Sequence, residues 1–548
     1  MAVVTSSVPT EHEARESERA GGRRLLGGLA LSLLSAVLLV VIWQSFGNLW
    51  WLTFVAFVPM YVAQYRVLPR RWSAVPVGFA FAGYYLALWL LSTSVLSLWV
   101  IVAAAAVSGL LGLIIGVCLR PFAERTQYRW FVVQFPLIWV SIDLLVQNNE
   151  LVGTYSWIGY RLGGVPQLVQ PVSILGTPAL NFLLLVINSA IALVALALID
   201  RRWPKLADVA VPRRVLVWST SISVVVVVIW LALSLHIFND VSEKMGPDVR
   251  VAAVQPGLDN ATPGTLISAG NISPGRSEAD RIADQIDQLS DMTRQAAQQG
   301  AQVVVWPEET LNYDPRVERT EWIPELVRQT GVYLAMGFTP DATNGAAPNT
   351  ALLWSPQGEV DAVYLKTKRV LAEGEAFTPG RSYPTVKTPA GILGMIICFD
   401  IDFPNGPARR EVLNGAQLIL APSIDFASIS DVRSASTTFR AIENRVGMVK
   451  ADVAWDSVLV APNGRVVAST DFGEERGGPA LLVADIPLGP VDAPQTQYGN
   501  TPFQWLVYAG TLMMIVAMAT SWRRRRGGPD SDGRPIDSGA SAIASSKH

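Results

Sequence analysis

VLVWSTSISVVVVVIWLALSLHIFNDVSEKMGPDVRVAAVQ, residues 215–255, changes character once, and that change divides the chain. Val215–Phe238 is a predominantly apolar run without Asp, Glu, Lys or Arg. It is long enough to cross a hydrocarbon core about 30 Å thick, which takes about 20 residues as a helix. Shortly after it, Val249–Gln255 reads as a buried β-strand and opens a segment of ordinary soluble composition. Upstream, further apolar runs occupy Leu25–Trp43, Leu49–Ala63, Val75–Leu91, Val95–Cys118, Trp130–Gln147 and Ile174–Ile199. Downstream, Phe503–Trp522 is the last. Composition agrees with this reading. Half of the 548 residues are apolar (50%) and 16% are charged, against about 25% charged in soluble domains. The mean hydropathy is +0.32. Forty-three basic residues face 45 acidic ones, a net charge of -2, which excludes a nucleic-acid binder built on a basic field.

The loops orient the eight expected spans. Arg15, Arg19, Arg23 and Arg24 precede the first, and Arg66, Arg70 and Arg71 follow the second. Arg120, Arg125 and Arg129 follow the fourth. Arg201, Arg202, Lys205, Arg213 and Arg214 separate the sixth from the seventh, and Arg523 to Arg526 follow the eighth. All these clusters fall on one side, which the positive-inside rule makes cytoplasmic. Both termini are expected there and residues 239–502 on the extracytoplasmic face. The organisation expected is a polar, disordered N-terminal tail (1–24), a seven-span membrane domain (25–238), a catalytic domain (239–502), an eighth span (503–522) and a disordered tail (523–548). In the outside loop 147–172, Tyr155, Trp157 and Tyr160 read first as an interfacial aromatic belt, with a lipid-facing arm as the other reading. The stretch 260–276 reads as a bland insertion or a lid.

Residues 239–502 alternate strand and helix signals, an α/β pattern with mixed strand pairing. The chain has two cysteines, Cys118 and Cys398, and three histidines, none between residues 237 and 547. An enzyme here must work without a Ser-His-Asp triad, a Cys-His pair or a histidine-rich zinc site. Cys118, in the fourth span, is expected to be inert packing.

Three polar residues stand at or after apolar strands, where α/β domains assemble their sites. Glu308 follows VVVW, Lys366 follows the strand ending in Tyr364, and Cys398 ends GMIIC. Singly, each has a bland explanation: a buried cysteine is usually a small hydrophobe, and Glu and Lys are usually solvated. Together they form a coherent set. A thiol with pKa about 8.5 needs a base or cation to react as thiolate. A sheltered carboxylate can take that proton, and an ammonium can steady an oxyanion.

WPEE at 306–309, YLKTKR at 364–369 and GMIICFDIDFP at 394–404 resemble the three catalytic segments of the carbon–nitrogen hydrolase (nitrilase) superfamily. GEAFTPG at 374–380, RAIENR at 440–445 and AAVQPG at 252–257 are similar to further superfamily segments. FGNLWWLTFVAFVPM at 46–60, and the stretch from PLIW at 136–139 through LGTPALNFLL to Asn188, resemble the membrane half of the apolipoprotein N-acyltransferase family. The resemblance implies an eight-helix transmembrane bundle carrying an extracytoplasmic nitrilase-like α-β-β-α sandwich in a bacterial cell membrane. It also implies transfer of an acyl chain from a phospholipid, through a cysteine thioester, to the N-terminal amine of diacylglyceryl-cysteine lipoproteins. Glu308 would be the base, Lys366 the oxyanion-stabilising lysine, Cys398 the nucleophile and Glu375 a positioning glutamate; no cofactor or metal is implied, and a monomer is expected.

This sequence departs from the family pattern in places. Lys366 and Glu375 are nine residues apart where the family has eight, so Glu373 and Lys368 are rivals for those roles. Phe399-Asp400 replaces a Tyr-Glu, Ser423-Ile424-Asp425-Phe426 lacks an expected Trp, and an expected Asn is replaced near Asp452. These departures touch the acyl acceptor more than the thioester chemistry. They keep open a membrane-tethered amidase on a non-lipoprotein substrate and a non-catalytic relative.

Overall fold

A computed structural model describes residues 11–526 except Phe46, 94–95, Val152, Tyr155, 258–277, 319–320, 341–346, 372–373 and 471–476. The expected lid or insertion at 260–276 and the rival Glu373 therefore lie outside the described residues.

The membrane half is built from α1 (Glu11–Gln44), α2 (Val75–Leu90), α3 (Leu98–Arg125), α4 (Phe131–Val146), α5 (Thr177–Arg202) and α6 (Arg213–Lys244). Among the described residues six helical segments are long and apolar enough to cross a membrane: α1, α2 together with the turn that leads into it (Arg70–Leu90, 21 residues), α3, α5, α6 and a C-terminal helix at Thr501–Arg526. The 16-residue α4, within the expected fifth span, is shorter. Its polar residues face the bundle: Asn181 donates to Asp143 at 2.9 Å, and Ser141 bonds Thr511 at 2.9 Å.

The expected second span, Leu49–Ala63, is not one helix. It is a 3-10 turn at Trp50–Phe54, a short helix at Val58–Val62 entered through Pro59, and a π-turn at Ala63–Val67. A proline at a helix start cannot donate to a preceding turn, so the ladder breaks there. The freed backbone groups find side chains. Asn188 accepts from the Phe57 amide at 3.0 Å and donates to the Thr53 carbonyl at 2.7 Å, and Ser35 donates to the Ala56 carbonyl. Broken backbone at membrane depth persists only under such cover. The segment still returns to the level where the apolar part of α1 begins, since Arg24 donates to the Arg66 carbonyl at 3.1 Å.

At that same end Arg66 pairs with Asp200 and Arg120 with Glu124 and Asp208, and Arg125 stacks on Trp522 at 4.6 Å. The basic loops thus gather at one end of the bundle. Close helix contact rests on small residues: a Cβ on Gly112 of α3 would lie 2.7 Å from the Val77 carbonyl of α2. Helix α1 already runs from Glu11, inside the stretch expected to be disordered. Residues 11–20 are polar but rich in Glu, Ala and Arg, which are strong helix formers.

Beyond α6 come two six-stranded sheets. The first has the order β12-β1-β2-β3-β4-β5, from β1 (Asp248–Gln255), β2 (Val303–Val305), β3 (Tyr333–Phe338), β4 (Thr350–Trp354), β5 (Val360–Leu365) and β12 (Ala480–Pro487). The second has the order β11-β10-β9-β8-β7-β6, from β6 (Thr385–Thr388), β7 (Gly391–Met395), β8 (Leu418–Ser423), β9 (Gly447–Asp452), β10 (Val458–Val460) and β11 (Val466–Ser469). Strands β1-β2-β3 and β7-β8-β9 are parallel and their neighbours antiparallel. Alternate residues of each strand point to opposite faces. Val251, Val303 and Ala335 therefore meet Leu393, Leu420 and Val449 between the sheets, while Val304, Leu334 and Leu352 pack outward under α7 (Glu278–Gln298) and α8 (Trp322–Thr330). On the outside of the second sheet lie α9 (Pro407–Leu413) and α10 (Ser430–Asn444), and α11 (Thr501–Arg526) re-enters the bundle. This is the nitrilase-like α-β-β-α layering.

Helix α10 is the seam. All of its fifteen residues except Ala435 are buried, because the membrane half covers the face that would otherwise meet water. Arg161 pairs with Asp431 at 2.6 Å, Thr177 donates to Glu443 at 2.6 Å, and Arg440 donates to the Tyr160 hydroxyl at 3.2 Å. Trp157 and Tyr160 are therefore not an interfacial belt. They are fully buried between the halves, with Tyr160 edge-on to Phe439, because docking the domain removes them from any interface. Tyr155 is outside the described residues.

Candidate active site

The C-terminal ends of β2, β5, β7 and β8 converge. Glu308 leaves β2 through Trp306-Pro307 and is held against β3, whose Gly337 leaves the space: a Cβ there would lie 2.7 Å from the Glu308 Cα. Lys366 follows β5 directly. Its ammonium donates to Glu308 Oε1 at 2.8 Å and to Glu375 Oε1 at 2.7 Å. The Asn349 amide also donates to Glu308 Oε1, at 2.7 Å. Glu375 is fixed by accepting from the Val370 amide at 2.5 Å. Lys366, not Lys368, thus joins the carboxylates. The Lys368 ammonium lies over the Phe403 ring at 4.4 Å.

Cys398 opens a short 3-10 turn, Cys398–Asp402, with φ of 44°. An L-residue in the left-handed region is strained, and the neighbouring contacts hold it. Asp400 accepts from the Ile397 amide at 3.1 Å, the Tyr364 hydroxyl at 2.6 Å, the Thr367 hydroxyl at 2.8 Å and the Lys368 amide at 2.9 Å. It ties the cysteine turn to the lysine loop. In the sequence Asp400 registers only as a departure from a family Tyr-Glu; its strand-end position beside the cysteine was the available signal.

The thiol and Glu308 meet at the backbone of one residue, Ile424. Cys398 Sγ donates to the Ile424 carbonyl at 3.2 Å, and the Ile424 amide donates to Glu308 Oε2 at 3.2 Å. Burial pushes the Cys398 thiol well above its ordinary range, and Glu308 and Asp425 add to this against Lys366 and Arg433. The resting sulfur is a protonated thiol that needs a base. Burial opposes the Lys366 charge, but Glu308 and Glu375 outweigh it and hold the ammonium well above its usual range. Burial and the Glu308 charge raise neighbouring Glu309 to about 7.

Behind the thiol lies a second charged cluster that sequence reasoning missed as a unit. Asp425 Oδ1 is 3.9 Å from Sγ. Arg433 bridges Asp402 at 2.8 Å and Asp425 at 3.1 Å, over the Phe399 ring. The Lys450 ammonium is 2.7 Å from Asp425, 3.9 Å from Asp452 and in contact with Asp456. Asp425, Asp452 and Asp456 approach one another closely enough to suit a cation, and the Lys450 ammonium supplies that charge from within the chain. Burial works against ionised Asp425, but Lys450 and Arg433 pull it below the usual carboxylate range.

Comparison with known proteins divides the chain at the same place. A carbon–nitrogen hydrolase family model matches residues 250–493, and a model of the apolipoprotein N-acyltransferase N-terminal domain matches residues 35–190. An apolipoprotein N-acyltransferase of Geobacter metallireducens is 26% identical, with 90% of this chain and 95% of that protein aligned. One of Mycolicibacterium smegmatis is 25% identical over 52% of this chain and 53% of that protein. The omega-amidase NIT2-B of Xenopus laevis is 27% identical over 38% of this chain and 84% of its own length. The two models fall in order on the two halves of one molecule and a relative aligns across both, which supports an N-acyltransferase of the nitrilase superfamily.

Proposed function

We propose that this chain is a membrane acyltransferase that moves an acyl chain from a phospholipid to the N-terminal amine of diacylglyceryl-cysteine lipoproteins, by way of a thioester on Cys398. The observation that carries this reading is the convergence of Glu308 and Cys398 on the backbone of Ile424, with Lys366 bonded to Glu308. Glu308 takes the thiol proton as sulfur attacks the ester carbonyl. The Lys366 ammonium faces the developing oxyanion, and Glu375 holds that ammonium in place. Collapse breaks the ester C–O bond, and Glu308 returns the proton to the departing lysophospholipid hydroxyl. In the second half the lipoprotein amine attacks the thioester carbonyl and loses its proton to Glu308. The C–S bond breaks, an amide forms, and the sulfur recovers the proton.

The catalytic domain faces the extracytoplasmic side and both termini the cytoplasm. This orientation is supported by the basic clusters at the end of the bundle remote from the domain. Both lipid substrates then reach the site from the bilayer, and a buried thioester is sheltered from hydrolysis. A single chain carries every proposed catalytic group, so a monomer suffices.

The test is mass spectrometry of the purified full chain after incubation with phospholipid. The expected result is an acyl mass on the Cys398 peptide that disappears when a diacylglyceryl-cysteine peptide is added. Turnover with Cys398 never modified would overturn the reading. Release of ammonia from small amides without lipid turnover would establish the tethered-amidase alternative instead.

A further inference from the structure

Away from the thiol, at the rim where the bundle meets the catalytic domain, lies a cavity of about 580 Å³. Its upper wall carries Arg409 and Arg410 of α9, and its lower wall is made by the ends of α4 and α11. None of Glu308, Lys366, Glu375 or Cys398 lines it.

The two arginines lack a counter-charge. Among the described residues neither forms an ion pair. Arg409 Nη2 donates to the Gln497 carbonyl at 2.9 Å, while its Nε is buried without a hydrogen-bond partner. Burial and the adjacent Arg410 charge both lower the Arg409 guanidinium from its usual value. Two uncompensated guanidinium groups and a buried unused donor call for an anion, and guanidinium geometry suits phosphate oxygens. The polar wall is already organised: Asn500 donates to Gln147 at 2.9 Å, and Gln147 donates to Gln504 at 3.1 Å.

The lower wall says which anion. Leu145 is 72% exposed, and beyond it Trp505 and Leu512 of α11 are exposed too, forming an apolar face that runs from the cavity down the bundle. A free phosphate would use the arginines and leave that face bare. A lipid would use both.

We propose that this cavity holds the phosphodiester of an anionic glycerophospholipid whose acyl chains lie along the exposed face of α4 and α11. The site goes beyond the acyl-transfer reading and does not depend on it. It fastens the catalytic domain to the lipid surface at one fixed point beside the seam.

The test is native mass spectrometry of the full chain in detergent, titrated separately with phosphatidylglycerol, phosphatidylcholine and inorganic phosphate. Wild type, R410Q and the R409Q/R410Q double variant are compared, with R465Q on a distant turn as control. R410Q changes an exposed side chain, so the fold is expected to hold. Each cation at an anionic lipid surface contributes enough that the double variant should bind phosphatidylglycerol roughly thirtyfold more weakly and R410Q roughly fivefold. The control and the phosphatidylcholine titrations should not change. The proposal is overturned if wild type does not prefer phosphatidylglycerol to phosphatidylcholine, or if R410Q and the double variant bind it like wild type. It is also overturned if inorganic phosphate binds the arginines and phosphatidylglycerol gains nothing over it.

Discussion

Two buried charged clusters flank Cys398, similar in composition and opposite in use. In front, Glu308 and Glu375 share the Lys366 ammonium. Behind, Asp402, Asp425, Asp452 and Asp456 surround Arg433 and Lys450. Each would look, in isolation, like a site with perturbed protonation. What separates them is where the acids point and what reaches them. Glu308 keeps an oxygen on the amide of Ile424, whose carbonyl holds the thiol, and Glu375 remains 19% exposed. The rear acids are spent on structure. Asp452 accepts from the amides of Asp425, Ala454 and Trp455, and Lys450 and Arg433 keep Asp425 ionised. The rear cluster shapes the loop that presents Ile424; the front cluster works on the sulfur. A shifted pKa marks burial and charge, and only geometry toward a reacting atom marks catalysis.

The sharpest way to break this contrast is at the sulfur. C398S should lower acyl transfer at least about a thousandfold, since the hydroxyl is a far weaker nucleophile in this setting. Detergent-phase transfer to a lipopeptide measures it, and near-normal transfer would remove Cys398 from the chemistry. E308Q keeps the shape of the front cluster without the base, and should lose about 10²–10⁴-fold and leave Cys398 unacylated. Accumulation of acyl-enzyme in E308Q would show that another group takes the first proton.

D425N should behave differently. It leaves Lys450 and Arg433 short of an anion, which destabilises by about 3–5 kcal/mol, while activity per folded molecule falls far less than in E308Q. Thermal unfolding beside activity separates the two, and a stable, inactive D425N would move the rear cluster into the chemistry.

The last effect, read only in the pH dependence of stability, concerns Glu411 of α9. Burial, then the neighbouring Asp400, pushes its carboxyl from 4.5 up to about 9, and neither of its oxygens has a hydrogen-bond partner. A raised acid stabilises the fold in its neutral form. Its contribution is complete below about 4.5 and is lost as pH rises through about 9. Wild-type Tm should therefore fall across that window, and E411Q should flatten the fall. An unchanged slope in E411Q would assign it to other groups.

Much of the site was legible from residue type and strand ends. Glu308, Lys366 and Cys398 each follow a run of apolar β-formers, and the lack of histidine narrowed the chemistry to a carboxylate, an ammonium and a thiol. The choice between Lys366 and Lys368 was not legible, because both lie in one short loop and only the turn held by Asp400 sends the first inward and the second onto Phe403. The burial of helix α10 was not legible for the same reason. SDVRSASTTFRAIEN has the polarity of a surface helix, and burial of its polar face needed partners 250 and more residues away in sequence, such as Arg161 and Thr177.

Local order along the chain determined the division into an apolar half and an α/β half, and the residue types able to do thiol chemistry. Both follow from quantities that need only neighbours in sequence: the length of an apolar run and the period of a pattern. The tertiary structure decided that Leu49–Ala63 is broken and bridged by Asn188, that Trp157 and Tyr160 lie inside the seam, and that Asp425 belongs with Lys450 and not with the base. Each of these depends on which distant group fills a vacant hydrogen bond or balances a buried charge, and no local pattern encodes that.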